Sequence, residues 1–291
     1  MFHGSIPALV TPFKNGAIDR DAFADLIERQ IKGGSRALVP CGTTGESATL
    51  SHAEHREVVE LCIQVAGGRV PVIAGAGSNS TREAIELVEH AKSVGADAAL
   101  VICPYYNKPD QAGLEAHFAA INDAVSMPVI LYNVPSRTAC DLLPETVGRL
   151  AKLPNIVGIK DASNDLGRVS MHASLTEGEQ FVQLSGEDPS SLGHRAMGGA
   201  GCISVTANIA PDLCAQMHEA FDNGDMPTAQ ALDQRLIHVH KAMFASPSPG
   251  PAKYVLANMG VGTEEVRLPI VGPNDQVRAQ IDTALVKAKL S

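Results

Sequence analysis

Eight short aliphatic runs recur along this chain, at residues 6–10, 37–39, 71–73, 98–102, 128–131, 156–159, 181–184 and 202–205. Amphipathic segments with helical spacing separate them. Asp19 precedes Phe23, Leu26 and Ile27, while Ser51 stands three residues before Glu54 and Ser80 three before Glu83, which predicts capped helix starts. Strand and helix in strict alternation demand a mostly parallel sheet, either open and doubly wound or closed on itself. Eight runs fit the α/β class as a closed (β/α)8 TIM barrel. Beyond Val205 the strand signal stops, and four helical stretches follow, broken by Pro247-Ser248-Pro249-Gly250-Pro251. The predicted organisation is a barrel domain over 1–224 and a C-terminal helical extension over 225–291.

Length and composition narrow the function. A chain of 291 residues is long enough to bury a sizeable core in one large domain, and its length allows one or two domains. With 23 basic and 32 acidic residues its net charge is −9, so it lacks the basic footprint that nucleic acid or an anionic membrane requires. No apolar run is long enough to span a bilayer, and the N-terminal residues do not read as a signal peptide. Six scattered cysteines without a Cys-x-x-Cys pair read as reduced, buried thiols, and a cytoplasmic location is expected.

One residue stands out chemically. Lys160 ends the run Asn155-Ile156-Val157-Gly158-Ile159, so an amine is carried to the end of a strand that reads as buried on both faces. Most lysines snorkel into solvent. An ammonium kept in apolar surroundings is poorly hydrated, which favours the neutral amine, and a neutral amine attacks carbonyls.

In a closed barrel the functional groups gather where strands end, so the residues after each run are the candidates. Gly42-Thr43-Thr44-Gly45 offers packed backbone N–H groups and two hydroxyls, which suits a carboxylate but also describes an ordinary turn. Three of the four tyrosines, Tyr105, Tyr106 and Tyr132, follow adjacent runs. Phenols beside a buried amine suggest a proton relay, with Tyr132 best placed for acid–base work. Arg137 lies five residues past Tyr132, and its planar fork suits a second carboxylate. Two other patterns are decoys. Val72-Ile73-Ala74-Gly75-Ala76-Gly77 begins like a dinucleotide fingerprint, but Ser80 holds the third glycine position. His52 and His55 lack the companion residues of a metal helix, so no catalytic metal is expected.

Gly42-Thr43-Thr44-Gly45-Glu46-Ser47, Pro104-Tyr105-Tyr106-Asn107, Tyr132-Asn133-Val134-Pro135-Ser136-Arg137-Thr138, Gly158-Ile159-Lys160 and Gly201-Cys202-Ile203-Ser204-Val205-Thr206 stand in one order. In that order they resemble the dihydrodipicolinate (4-hydroxy-tetrahydrodipicolinate) synthase family, and the likeness covers nearly the whole chain. The Gly-Thr-Thr-Gly-Glu turn and the lysine are shared with sibling pyruvate-dependent class I aldolases such as N-acetylneuraminate lyase. Arg137 in its Tyr-Asn-x-Pro-Ser-Arg setting is what points to the synthase. The resemblance implies a cofactor-free lyase of the diaminopimelate route to lysine, which joins pyruvate, as a Schiff base on Lys160, to L-aspartate 4-semialdehyde. It implies a relay of Tyr132, Thr44 and Tyr106, with Tyr106 crossing a subunit interface. Thr43 and Thr44 would bind the pyruvate carboxylate, Arg137 would hold the semialdehyde, and Gly186 and Ile203 would line the pocket. It further implies a homotetramer that lysine inhibits through Ser47, Ala48, His52, His55, Asn79, Glu83 and Tyr105. Ser248 departs from the family's usual asparagine, and the tail from Met259 onward matches loosely. Two competitors remain: an aldolase that cleaves a sugar acid, and a non-catalytic sensing barrel in which Lys160 only packs.

Overall fold

The computed structural model describes residues 2–290, and the aliphatic runs become strands or bridges along that length. The chain divides into two compact units, one formed by Gly4–Val72 with the segment from Ser204 onward, the other by Ile73–Ile203.

The first unit opens with strand β1 (Gly4–Pro7), a two-stranded antiparallel ribbon of β2 (Phe13–Lys14) and β3 (Ala17–Ile18), and helices α1 (Arg20–Lys32) and α2 (His52–Ala66). Asp19 caps α1 by accepting from the Ala22 amide, and the capping box at Ser51 and Glu54 forms as expected. The run at 37–39 makes only isolated bridges, Ala8 to Val39 and Leu38 to Val72, with the Leu9 amide 2.9 Å from the Val39 carbonyl. Pro40 ends it by removing the next backbone donor.

The second unit alternates strictly: β4 (Ile73–Gly75), α3 (Thr81–Ser93), β5 (Ala98–Ile102), α4 (Gln111–Ala124), β6 (Val129–Asn133), then the short α5 (Pro135–Thr138) and α6 (Pro144–Leu150). It continues with β7 (Ile156–Asp161), α7 (Gly167–Leu175), β8 (Val182–Ser185), α8 (Ser191–Ala196) and β9 (Gly201–Ser204). Strands β4 to β9 pair in sequence order, every pair parallel. Helices cover them, so Val129, Ile130 and Leu131 are fully buried in succession, which is why they read as a continuous apolar run. Ser80 stands at the N-cap of α3, but its side chain does not cap. Ser78 Oγ donates to Glu83 instead, so the box expected at Ser80 and Glu83 is replaced by a tie from two residues earlier.

The first unit is completed by α9 (Pro211–Asp222), α10 (Met226–Ala242), α11 (Gly250–Asn258) and α12 (Asp275–Ala288). Here α10 packs against both α9 and α12, and α11 against α12. No helix among the described residues is long and apolar enough to cross a membrane. All six cysteines are buried thiols.

Candidate active site

Strands β6 and β7 extend two residues past their aliphatic runs, so Tyr132 and Lys160 lie inside strands rather than after them. Polar side chains hid this in the sequence, because periodicity marks the apolar part of a strand and not its hydrogen-bonded length. The consequence is a register pair. Tyr132 stands opposite Lys160, and along the same row lie Ile102 on β5 and Leu184 on β8. Residues in register on parallel neighbours project to one side of the sheet. The amine therefore meets the phenol ring, with Nζ 4.2 Å from the ring centroid. Both side chains are buried. Among the described residues no carboxylate comes within ion-pair distance of Lys160, and its amine faces an aromatic ring and aliphatic neighbours.

Backbone geometry keeps the end of this row tight. The Gly186 amide donates to the Asp161 carbonyl at 2.7 Å, and a Cβ at Gly186 would stand 2.6 Å from that of Ala162. Only glycine permits that approach of β7 and β8 beside the lysine. Ile203 is buried on β9, whose Gly201 registers with Leu184. Glu187 follows directly. Burial raises the pKa of its carboxyl, and the neighbouring Asp188 adds to this, while Lys160 and Arg137 draw it back, so Glu187 lies within the fields of both cations. Glu187 stands among the residues that follow the seventh aliphatic run, but its sequence context assigned it no role of its own.

Arg137 is exposed on α5. Its segment is rigidly tied: Thr138 Oγ1 donates to the Cys140 carbonyl at 2.8 Å, and the Cys140 thiol to the Pro104 carbonyl at 3.1 Å. Tyr105 is 36% exposed, and Tyr106 is 92% exposed with φ 73°, so this chain leaves the Tyr106 phenol on its surface. Asn79 and Glu83 belong to the same unit, before and within α3.

On the opposite side of β6 and β7 lie Asn133 and Asp161, also in register. Arg168 grips Asp141 through both Nη atoms, at 2.8 and 2.5 Å, and holds its carboxyl below the usual range. A cavity of about 20 Å³, lined in part by Asp161, Arg168, His172, Gln183 and His194, adjoins them. Burial pushes the His194 imidazole down to about 4.

The threonine turn belongs to the other unit. Thr43–Gly45 forms one turn of 3-10 helix, with Thr44 buried and Thr43 half-buried. Cys41 and Glu46 bracket it in left-handed conformations, φ 55° and 56°, which non-glycine residues adopt only where the surroundings fix them. The fixing group is Glu46. Its side chain is 3% exposed and accepts from Lys253 Nζ at 2.5 Å and from the Arg267 amide at 2.9 Å. Lys253 also donates to the Glu265 carbonyl at 2.8 Å and sits 4.0 Å over the Phe13 ring. Burial lowers its pKa to about 8, with Glu46 opposing. Arg267 forks onto Glu54 at 2.5 and 2.9 Å, and Thr11 Oγ1 donates to the Gly45 carbonyl at 2.7 Å. Ser47 and Ala48 form the next 3-10 turn, and His52 (exposed) and His55 (buried) lie on α2. Lys253 and Arg267 were absent from the sequence reading. Lys253 carried a signal, since it interrupts the apolar stretch Pro251-Ala252 and Tyr254-Val255-Leu256.

An α/β chain of parallel strands that carries a buried lysine beside a phenol has the parts that a Schiff-base-forming lyase uses. The family is then fixed by similarity: the model of the dihydrodipicolinate synthetase family matches residues 1–288, and the chain belongs to that family. A 4-hydroxy-tetrahydrodipicolinate synthase of Hyphomonas neptunium is 68% identical, with 100% of both chains covered. Among solved structures, a chloride-inhibited dihydrodipicolinate synthase from Acinetobacter baumannii complexed with pyruvate superposes at TM-score 0.97 with 43% identity, covering 100% of each chain. The enzyme from Cyanidioschyzon merolae with lysine bound gives 0.95 and 38%, covering 100% of this chain and 99% of that one. The fold class is the expected (β/α)8 barrel with C-terminal helices.

Proposed function

We propose that this chain is a 4-hydroxy-tetrahydrodipicolinate synthase in which Lys160 is the Schiff-base residue and Tyr132 the proton carrier. The observation that carries this reading is the register pair itself, an amine beside a phenol with no carboxylate to hold it as a salt. The amine attacks C2 of pyruvate and expels water, leaving an iminium, which is an electron sink. Loss of a methyl proton gives the enamine, whose carbon attacks the aldehyde of L-aspartate 4-semialdehyde and forms the new C–C bond. The semialdehyde's own amine then adds at C2, closes the ring and releases Lys160. Each step moves a proton, and in this reading Tyr132, whose ring centroid lies 4.2 Å from the Lys160 Nζ, carries it.

In this reading Thr43 and Thr44 bind the pyruvate carboxylate, Thr44 and Tyr106 extend the relay, Arg137 holds the semialdehyde carboxylate, and Gly186 and Ile203 shape the lysine's pocket. The 92% exposure of Tyr106 supports a phenol that works across a subunit interface, as in a homotetramer. Ser47, Ala48, His52, His55, Asn79, Glu83 and Tyr105 are the proposed lysine site. The division into a barrel over 1–224 and a helical extension over 225–291 belongs to the same proposal.

The test is borohydride reduction with pyruvate, followed by peptide mass analysis, beside a coupled assay with and without lysine. A stable adduct on Lys160 together with turnover of aspartate semialdehyde is expected. An adduct with turnover only of a sugar acid would identify a sibling aldolase, and no adduct at all would sink the Schiff-base assignment.

A further inference from the structure

The side of β6 and β7 that faces away from Lys160 carries a polar clamp, and the segment it closes is the one that bears Arg137. Asn133 is fully buried; its Nδ2 donates to Asp141 Oδ1 at 2.9 Å, and its Oδ1 accepts from the Leu142 amide at 3.0 Å. One side chain thereby joins both ends of the 133–142 segment, with Arg137 midway. Asp141 is then gripped by the two Nη atoms of Arg168, a bidentate geometry that fixes direction as well as distance. Arg168 also faces Asp161 at 4.0 Å, the residue after Lys160, and Asp165 at 3.8 Å. One guanidinium therefore lies among three carboxylates, from the Arg137 segment, from the lysine strand and from the turn that precedes α7.

Removing that cation would leave Asp141 and Asp161 without a cation between them, and like charges on the 133–142 segment and at the end of β7 push the segment off β7. Nothing in this clamp touches the position of the pyruvate carbon, because Asn133 and Asp161 project to the other side of the sheet from Tyr132 and Lys160. We infer that Asp141 and Arg168 are positioning residues for Arg137: they hold its segment where the guanidinium meets the carboxylate of the second substrate, without taking part in imine formation. The inference rests on the reading of Arg137 given above.

A split between the two substrates follows. Misplacing a binding group by about 1 Å is enough for a loss of up to ~100-fold. In Asp141→Asn and Arg168→Ala the KM for aspartate semialdehyde is expected to rise about 10- to 100-fold. The KM for pyruvate and the borohydride adduct on Lys160 stay within about twofold, because uniform binding of the first substrate is untouched. Arg168→Lys, which keeps the charge and loses the fork, falls between the alanine variant and the parent. With Arg137→Ala as reference, adding Asp141→Asn to it should make matters no worse, since groups acting as one unit are not additive.

The outcomes separate the two readings. If Arg137→Ala leaves the semialdehyde KM unchanged, the role of Arg137 fails and the inference falls with it. If Arg137→Ala raises that KM but Asp141→Asn and Arg168→Lys leave it alone while only lowering the melting temperature, the clamp is structural and the inference alone is overturned. Additive effects in the double variant overturn it as well. Should Asp141→Asn not fold, Arg168→Lys carries the same measurement.

Discussion

Lys160 and Lys253 are both buried, at 6% and 1% exposure, and each Nζ lies over an aromatic ring, 4.2 Å from Tyr132 and 4.0 Å from Phe13. They differ in a carboxylate. Lys253 has Glu46 at 2.5 Å and two further carbonyl or amide partners around the pair, whereas Lys160 has a phenol and aliphatic neighbours in its row. A buried amine with a carboxylate is a structural tie, because the ion pair locks its geometry and occupies its nitrogen. A buried amine without one keeps its nitrogen for a carbonyl. Burial alone therefore does not separate the two lysines; the carboxylate at hydrogen-bond distance does.

The largest effect that would sharpen this contrast lies at the phenol. Tyr132→Phe keeps the ring beneath the amine and removes only the hydroxyl, so the pyruvate adduct on Lys160 should still form. Turnover should fall by about 10²- to 10⁴-fold, the usual worth of a positioned proton carrier. Phe13→Leu, at the equivalent ring under Lys253, should leave the per-site rate largely intact and lower only the melting temperature. A Tyr132→Phe enzyme with near-normal kcat would break the contrast, since the two rings would then serve their lysines alike.

The next effect concerns stability. Lys253→Met removes the cation from beneath Glu46 and leaves a carboxylate, 6% exposed as a residue, with the Arg267 amide as its remaining partner. Breaking a buried pair from one side costs about 3–5 kcal/mol. The double change Lys253→Met with Glu46→Leu should recover part of that loss, because no charge is left stranded. The sign of the pH dependence follows from the lowered pKa of Lys253, about 8 against an ordinary 10.5. Between those values the unfolded chain holds a proton that the folded chain has released. Stability from this group therefore rises with pH across the window from about 8 to 10.5, and the burial penalty is fully felt below 8. Melting curves of parent and Lys253→Met between pH 7 and about 10 should diverge with rising pH, because only the parent gains stability as Lys253 loses its proton; parallel curves would mean that Lys253 stays charged throughout.

Much of this molecule was readable from one sequence, and its gaps share a cause. The alternating runs announced a parallel sheet, and Lys160, Tyr132 and the Gly42–Gly45 turn were visible as polar residues placed where the apolar pattern stops. Strand β7 nonetheless ends at Asp161 and β6 at Asn133, since pairing continues through side chains that carry no hydrophobic signal. The ties that hold the site were hidden by distance along the chain. Glu46 and Lys253 are separated by 207 positions, and Asp141 and Arg168 by 27 with a strand between them. Such pairs become visible only when the register of the strands is known. Lys253 carried the same local signature as Lys160, and nothing in its neighbours in sequence says that a carboxylate from the threonine turn will reach it.

The smallest effect tests the outer edge of the Lys253 cluster. Arg267 lies 4.2 Å over the Phe13 ring and forks onto Glu54, whose carboxyl it holds down to about 2 from an ordinary 4.5. Here the unfolded chain binds the extra proton below pH 4.5, so the contribution of Glu54 is present above that value and is lost as pH falls toward about 2. With side chains 19% and 27% exposed, solvent screens the pair, and a net worth below about 1 kcal/mol at neutral pH is expected. Glu54→Gln should accordingly lower the melting temperature slightly at pH 7 and flatten the acid limb of the stability curve between pH 4.5 and about 3. The contrast with Lys253 is one of depth: the same kind of ion pair loses most of its weight when water reaches its rim. If Glu54→Gln cost as much as Lys253→Met, depth would not be what separates the two pairs, and the Arg267 fork would have to be counted among the ties that fix the threonine turn.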